Sequence, residues 1–140
     1  MEKHRILVAV DGSLHSDKVV KTAIEYAKLF SATVLLVHCH KKFPSVRGEP
    51  HISDAIARTI QDAEKLIQPF VERLKEAQID FDSRLMEEPA GAVISDIAAI
   101  QECNLVIMGS RGLTNLEGLL LGSVTNKVLQ TTPCSVLVVK

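Results

Sequence analysis

The 140-residue sequence predicts a doubly wound α/β fold: a five-stranded parallel sheet of order 3-2-1-4-5 with helices on both faces. Apolar runs of strand length alternate with segments of helical periodicity, and most of the connections between them are short. Hydrophobic residues make up 46% of the chain while aromatic residues make up only 4%, as expected for an aliphatic core. We expect a single domain over residues 1–140, because no Pro-, Gly- or Ser-rich linker divides the chain.

The first part of the chain supplies two strands and one helix. Ile6–Val10 is a continuous apolar run, which is typical of a parallel strand buried on both faces. Ser13 is a candidate N-cap for a first helix, whose apolar stripe extends to Ala27. Thr33–Val37 is β-branched and aliphatic and predicts the second strand, and the polar tract His40–Pro50 predicts a loop.

The middle of the chain predicts the longest helix and an edge strand. Ser53 is a candidate cap for this helix, apolar residues recur at spacings of four and three as far as Leu74, and Pro69 is expected to kink it. Ile79–Leu85 alternates apolar and polar residues, so one face of the third strand is expected to be wetter and the strand to lie near an edge.

The last part of the chain completes the alternation. Pro89 suits the first turn of a third helix. Leu105–Met108 then predicts a short buried strand, Ser123–Gln130 a helix and Ser135–Val139 the last strand. The apolar stripe of the third helix is expected to contain Val93, Ile94, Ile97 and Ala98.

The predicted topology also locates a ligand crevice. Doubly wound sheets bind ligands beyond the carboxyl ends of the strands where the winding direction reverses, here between strands one and four. The loops at this point begin at Asp11 and Gly109. Asp11 either meets a nucleotide or a metal or caps the turn with Ser13, and its position favours the first interpretation.

Four of the seven glycines lie between Gly109 and Gly122, at the predicted crevice. The spacing Gly109-x2-Gly112-x9-Gly122-Ser123 runs from the end of a strand into a helix. Glycine lets a backbone approach a ligand closely, and a helix N-terminus offers free N–H groups to a phosphate. The hydroxyls of Ser123 and Thr125 are candidate additional donors. The alternative is that the glycines only form tight turns and Ser123 only caps the helix.

Composition weighs against several function classes. A formal net charge of -1, no Trp and one Tyr argue against a basic or aromatic surface for nucleic acid. The apolar stretches fall short of the roughly 20 residues of a membrane span. Three cysteines without a C-x-x-C pair favour the reducing cytoplasm. We therefore expect neither a nucleic-acid nor a membrane partner.

Two smaller features leave alternatives open. His38 and His40, with Cys39 between them, suggest a metal site, but a packed histidine pair is favoured and no third ligand follows from the sequence. Arg111 lies within the glycine-rich loop, where contact with a triphosphate and exposure to solvent are equally compatible with the sequence.

Five segments share a pattern with a known family. They are Ile6–Ser13, the Val-His38 end of the second strand, Met108–Gly112, Leu121–Thr125 and Cys134–Val139. Through these segments the chain resembles the universal stress protein family over essentially its full length. The glycine spacing is similar to that of the ATP-binding branch of the family.

The resemblance implies a doubly wound sheet and homodimers paired through the last strand, Ser135–Val139. It also implies that the adenine lies between strands one and two, with Asp11 near the adenosine and Cys39 and Met108 lining the base. The residues that it places around the ribose and phosphates are Gly109, Gly112, Gly122, Ser123, Val124 and Thr125.

Three residues depart from the family pattern. Cys39 stands where ATP-binding relatives often carry a small aliphatic residue, and a thiol is compact and apolar enough to be compatible with binding. Glu87 replaces a common glycine before Pro89, and Asn104 replaces a common aspartate before the fourth strand. Neither of the last two belongs to the phosphate-binding segment.

The leading hypothesis is a cytoplasmic, homodimeric, ATP-binding stress-response protein in which the nucleotide is a signal or a stabiliser. ADP or AMP are alternative ligands, with Mg²⁺ or Mn²⁺ as candidate companions. A second hypothesis is a slow ATP hydrolase or phosphotransferase, for which Asp11 is the only obvious carboxylate near the site. A third is a nucleotide-free dimeric interaction module, suggested by the aliphatic edge Ser135–Val139.

Overall fold

A computed structural model describes residues 3–43, 52–110 and 121–140, in which strands and helices alternate along the chain. Their order confirms the alternation that the sequence predicts. The elements are β1 (Arg5–Ala9), α1 (His15–Phe30), β2 (Thr33–His40), α2 (Ile52–Glu76), β3 (Phe81–Glu87), α3 (Ala90–Ile100), β4 (Leu105–Gly109), α4 (Ser123–Thr131) and β5 (Ser135–Val139).

The described strands form one parallel sheet of order β3-β2-β1-β4-β5, as predicted. In the register of the sheet, Leu7 of β1 lies between Leu35 of β2 and Val106 of β4. Winding proceeds from β1 to β2 and β3 on one side, and then crosses to β4 and β5 on the other. The direction therefore reverses between β1 and β4.

Two pairs of helices cover the two faces of the sheet. The core on the α1 and α2 side includes Ile6 and Phe70, and the core on the α3 and α4 side includes Leu7 and Val128. Ile6 and Leu7 are consecutive, and both are fully buried because successive side chains of a strand point to opposite faces. Burial of the central strand on both faces accounts for the continuous apolar run Ile6–Val10.

Helix α2 is amphipathic over its 25 residues. Ala63, Ile67, Phe70 and Leu74 are buried against the sheet, and Pro69 lies inside the helix at an exposed position. Among the helices that the structure describes, none is both long enough and apolar enough to cross a membrane.

The starts of two helices differ from the sequence prediction. Helix α1 begins at His15 with Leu14 in the N-cap position, so Ser13 is wrong as the capping residue. The Ser13 N–H instead donates to Oδ1 of Asp11 at 2.9 Å, which forms a turn before the helix begins. Helix α2 begins at Ile52, so Ser53 lies within its first turn and not at the cap.

Several other boundaries also shift. Strand β2 continues to His40, beyond the predicted Val37. Strand β3 is Phe81–Glu87 instead of Ile79–Leu85, because the Ile79 N–H donates to the Leu74 carbonyl and closes the end of α2. The strand lies at an edge of the sheet, as predicted.

Further along, Pro89 directly precedes α3, and Ile94 and Ala98 form the fully buried part of its stripe, with Val93 and Ile97 half-buried. Of the predicted loop His40–Pro50, the part from 44 onward lies outside the described residues.

Candidate ligand-binding cleft

A cavity of about 520 Å³ opens at the carboxyl ends of β1, β2 and β4, where the winding direction reverses. Arg111 and Gly112 lie outside the described residues. The structure brings the other eight predicted site residues together around this cavity. They are Asp11, Cys39, Met108, Gly109, Gly122, Ser123, Val124 and Thr125.

Asp11 is held in a fixed orientation by the start of α1. Its Oδ1 accepts hydrogen bonds from the Ser13 N–H at 2.9 Å and from the hydroxyl of Ser16 at 3.1 Å. The Ser16 oxygen in turn accepts hydrogen bonds from the N–H groups of Asp11 and Gly12. The carboxylate is therefore oriented by the turn itself, beside the cavity.

The turn at Gly12 approaches α2 closely. Its φ of +81° lies in the left-handed region, and a Cβ at this position would come within 2.6 Å of Cδ1 of Leu66. Glycine meets both demands because it tolerates a positive φ and has no Cβ. The close approach brings α2 to the edge of the cavity, where Leu66 is one of the lining residues.

Helix α4 directs its N-terminus into the cavity. Gly122 occupies the N-cap position with extended backbone, so the N-cap residue has no side chain with which to cap the helix, and no acidic residue lies in the first turn. The Gly122 N–H donates to the Ser110 carbonyl, whereas the first N–H groups of the helix have no acceptor within it. Ser123 and Val124 are exposed there, so this end of the cavity is suited to an anion.

Thr125 joins α4 to the end of β4. It is buried, and its hydroxyl donates to the Gly109 carbonyl at 2.8 Å. The sequence offered this hydroxyl as a donor to a ligand, but a carbonyl of the chain accepts its proton. Thr125 thus fixes the position of the helix N-terminus relative to the sheet.

Successive residues of β2 form their main-chain hydrogen bonds alternately with β1 and with β3, the strands on either side of it. The Thr33 N–H donates to the His4 carbonyl on the β1 side. The Val34 N–H donates to the Asp80 carbonyl on the β3 side. Odd-numbered residues of β2 therefore direct their N–H and C=O groups toward β1, and even-numbered residues direct them toward β3.

Cys39 is the next odd-numbered residue of β2 after the last main-chain hydrogen bond between β1 and β2. That bond joins the Val10 N–H to the Val37 carbonyl at 3.0 Å. Beyond it, Nδ1 of His38 lies 2.8 Å from the Val10 carbonyl, where continued pairing would place the Cys39 N–H. Within the described part of the chain, the N–H and C=O of Cys39 face the cavity without a main-chain partner.

Sulfur-containing side chains line the apolar part of the cavity. Met108 is buried, and Cys39 is half-buried and packs against the core on the same face of the sheet. Burial raises the pKa of the Cys39 thiol to about 11, and the negative charge of Glu88 adds to this effect. The thiol is consequently protonated at neutral pH and is an apolar contact surface.

His38 and His40 are both buried, and each ring has a main-chain partner. Nδ1 of His38 bonds the Val10 carbonyl, and Nδ1 of His40 lies 2.8 Å from the Lys41 carbonyl. The His40 ring also packs against Phe43. In the ranges that the structure describes, no three His, Cys, Asp or Glu side chains are arranged to hold a metal ion.

Two of the three residues that depart from the family pattern form hydrogen bonds with nearby main-chain N–H groups. Oδ1 of Asn104 accepts the Arg5 N–H at 2.8 Å, at the amino end of the sheet and away from the cavity. Oε1 of Glu87 accepts the Phe43 N–H at 2.9 Å and ties the segment after β2 to β3. Neither residue lines the cavity.

Sequence reasoning missed several residues that line the cavity. Ser16, which orients Asp11, was detectable as a second hydroxyl five positions after it. The α2 residues gave no such signal, because they are distant in sequence and resemble ordinary positions on an amphipathic helix. They are Thr59, Asp62, Ala63 and Leu66.

The topology and the cleft define a doubly wound α/β protein with a crevice at its switch point. A model of the universal stress protein family matches residues 3–140, and the chain belongs to that family. A universal stress protein of Thermus aquaticus is 35% identical over 136 residues, which cover 96% of this chain and 97% of the relative. The solved structure of hypothetical protein MJ0577 has a TM-score of 0.88 at 25% identity, covering 100% of this chain and 97% of its own.

Two further solved structures with this fold contain adenine nucleotides. A universal stress protein in complex with cAMP has a TM-score of 0.77 at 22% identity, with 98% of this chain and 97% of that chain covered. A family member from Arabidopsis thaliana with AMP bound has a TM-score of 0.66 at 19% identity, with 98% of this chain and 91% of that chain covered.

Proposed function

We propose that this protein binds an adenine nucleotide, with ATP as the principal ligand, and that binding serves as a signal within a stress-response homodimer. The observation that carries this proposal is the N-terminus of α4, which lines the cavity, has no acidic residue in its first turn, and has no acceptor in the described ranges for its first N–H groups. Such a terminus binds phosphate without a basic patch. The AMP and cAMP complexes of structurally similar proteins support the same class of ligand.

The main-chain N–H and C=O of Cys39, which have no main-chain partner in the described ranges, favour adenine as the base. Adenine presents an acceptor at N1 beside a donor at N6, which complements an adjacent N–H and C=O. Guanine presents the opposite polarity at these two positions. Met108 and the protonated Cys39 thiol supply the apolar surface on which the base would lie. We therefore expect ATP to bind more tightly than GTP.

Asp11 is suited to the ribose. An acidic side chain accepts a hydrogen bond from a ribose hydroxyl in doubly wound proteins that bind dinucleotides, and Asp11 lines the cavity at the carboxyl end of β1. Ser13 and Ser16 hold the Asp11 carboxylate in one orientation before any ligand arrives. Together the three parts define an order along the cavity: base at β2, ribose at β1 and phosphates at α4.

The two sheet edges support pairing through β5. The β3 edge carries exposed charges at Asp82, Arg84 and Glu87, which discourage a partner strand. The β5 edge presents the partly exposed aliphatic residues Val136 and Val138. We propose that β5 pairs with its copy in a homodimer, and that the dimer acts in the cytoplasm, where the three free cysteines would stay reduced.

A charge placed at Ser123 tests the phosphate position. Ser123→Asp adds an anion to the first turn of α4, which stabilises the helix by about 0.3–1 kcal/mol but repels a bound phosphate. We expect calorimetric titration of nucleotide-free protein to show ATP affinity weakened by about tenfold or more, with adenosine affinity unchanged. Ser123→Asn is the matched control, because asparagine has the shape of aspartate without its charge. Its ATP affinity should stay within about threefold of wild type.

The outcomes separate the proposal from its alternatives. Equal ATP affinity in Ser123→Asp and Ser123→Asn would place the phosphates elsewhere. Absence of ATP, ADP and AMP binding by the wild-type protein at millimolar concentration would leave the nucleotide-free interaction module as the better description.

A further inference from the structure

His38 lies at the point where main-chain pairing between β1 and β2 ends. Its side chain lies on the face covered by α1 and α2, is 7% exposed, and reaches the Val10 carbonyl at 2.8 Å. Because a carbonyl is only an acceptor, Nδ1 of His38 must carry the proton of this hydrogen bond. Val10 is itself 5% exposed, so its carbonyl needs a partner from the protein.

The ring replaces a main-chain bond. The Val10 N–H to Val37 carbonyl bond is the last between the strands, and the next in that register would join the Cys39 N–H to the Val10 carbonyl. The imidazole of His38 satisfies that carbonyl from the side. The Cys39 N–H is thereby left without a strand partner and faces the cavity.

We propose that His38 is a specificity-determining positioning residue: by bonding the Val10 carbonyl, it keeps the main chain of Cys39 open to read the base of the nucleotide. The inference rests on the proposed function for its ligand, whereas the structural part concerns the free protein. His38 acts here through Val10 and Cys39, and the base meets main-chain groups and not the imidazole.

The first test needs no ligand. In the free wild-type protein, ¹⁵N spectra of the neutral His38 ring should show the proton on Nδ1. Hydrogen exchange should be about tenfold faster at the Cys39 amide than at the Val37 amide, which is paired with β1. In His38→Leu the Val10 carbonyl loses its donor, so the Cys39 N–H should bond it and its exchange should slow to about the rate of Val37.

The second test uses ligands that share only part of ATP. His38→Leu should weaken ATP binding by about tenfold and reduce the preference for ATP over GTP, while the affinity for inorganic tripolyphosphate stays unchanged. His38→Asn carries an amide N–H able to reach the same carbonyl and should restore both properties. His4→Leu is the matched control, since His4 stacks on Phe30 at the far end of β1.

The results have distinct meanings. Wild-type ATP affinity and base preference in a folded His38→Leu, or a Cys39 amide as protected as Val37 in the wild-type protein, would overturn the role of His38. An equal loss of ATP and tripolyphosphate binding would overturn it too, because it would mean a general disturbance of the cleft. Failure of the wild-type protein to bind any adenine nucleotide would instead overturn the proposed function.

Discussion

At the scale of single residues, Thr125 illustrates how one hydroxyl positions a binding surface. Thr125→Val keeps the shape of the side chain but leaves the Gly109 carbonyl without its donor. Because a lost partner at a buried carbonyl is costly, we expect the free energy of unfolding to fall by about 1–3 kcal/mol in denaturant titrations. Thr125→Ser retains the hydroxyl and should lose less. Equal losses in the two variants would mean that the methyl contact matters more than the hydrogen bond.

Cys39 permits a prediction about pH. Its pKa is raised to about 11, so alkylation by iodoacetamide, followed for the Cys39 peptide by mass spectrometry, should have its midpoint near pH 11. In urea-unfolded protein the midpoint should return to the ordinary range of a thiol, near pH 9. A midpoint near pH 9 in the folded protein would show that the thiol is not buried as described.

The same shift has a consequence for stability. The folded state holds the proton more tightly than the unfolded state, so this contribution is present below about pH 9 and is lost as the pH rises toward 11. Burial raises the pKa of Cys103 to about 11 in the same way, and the two effects have the same sign.

At the scale of elements, the turn between β1 and α1 is fixed by its contact with α2. Gly12→Ala introduces strain at a φ of +81° and a Cβ that would overlap Leu66. We expect a loss of about 1–3 kcal/mol in the free energy of unfolding. In the double variant Gly12→Ala, Leu66→Ala the overlap is removed while the strain stays, so the combined loss should be smaller than the sum of the single losses. Strict additivity would contradict the contact.

The elements themselves followed closely from the sequence, because each apolar run or stripe reports local burial. Ile6–Val10 and Leu105–Met108 matched buried strands within a residue at their ends. Helix ends that depend on side-chain hydrogen bonds could not be predicted in this way. Oδ1 of Asp11 accepts a hydrogen bond from the Ser13 N–H, and α1 therefore begins later than predicted. Such choices depend on competing local hydrogen bonds, which periodicity does not reveal.

The candidate site also contains residues that the sequence predicted and residues that it could not predict. Glycine spacing and topology predicted residues that the structure groups around one cavity, such as Asp11 and Ser123. The wall contributed by Leu66 and its neighbours on α2 required knowledge of how a distant helix packs. The open main chain at Cys39 required the register of β1 and β2 and the hydrogen bond between His38 and the Val10 carbonyl, neither of which the sequence shows.

At the scale of the whole molecule, the β5 edge allows a selective test of the proposed dimer. The Ser110 N–H donates to the Val139 carbonyl, so odd-numbered residues of β5 bond β4 and the N–H of Val138 points outward. Val138→Pro removes that outward donor and spares the ladder to β4. Sedimentation at micromolar concentration should show a folded monomer for Val138→Pro and a dimer for the wild type.

Leu137→Pro is the matched comparison, because it removes an N–H that faces β4. It should destabilise the fold, which circular dichroism and thermal unfolding will detect. A wild-type protein that sediments as a monomer, or a Val138→Pro variant that remains dimeric, would contradict pairing through β5.

The central claim is that one adenine nucleotide lies along the cavity, with its base at Cys39 and its phosphates at the N-terminus of α4. Amide chemical shifts during ATP titration test this claim most directly. We expect saturable shifts at Cys39, Ser123 and Val124, and we expect adenosine to shift Cys39 while leaving the two α4 amides unchanged. Shifts confined to other parts of the chain, or no shifts with millimolar ATP, would contradict the claim.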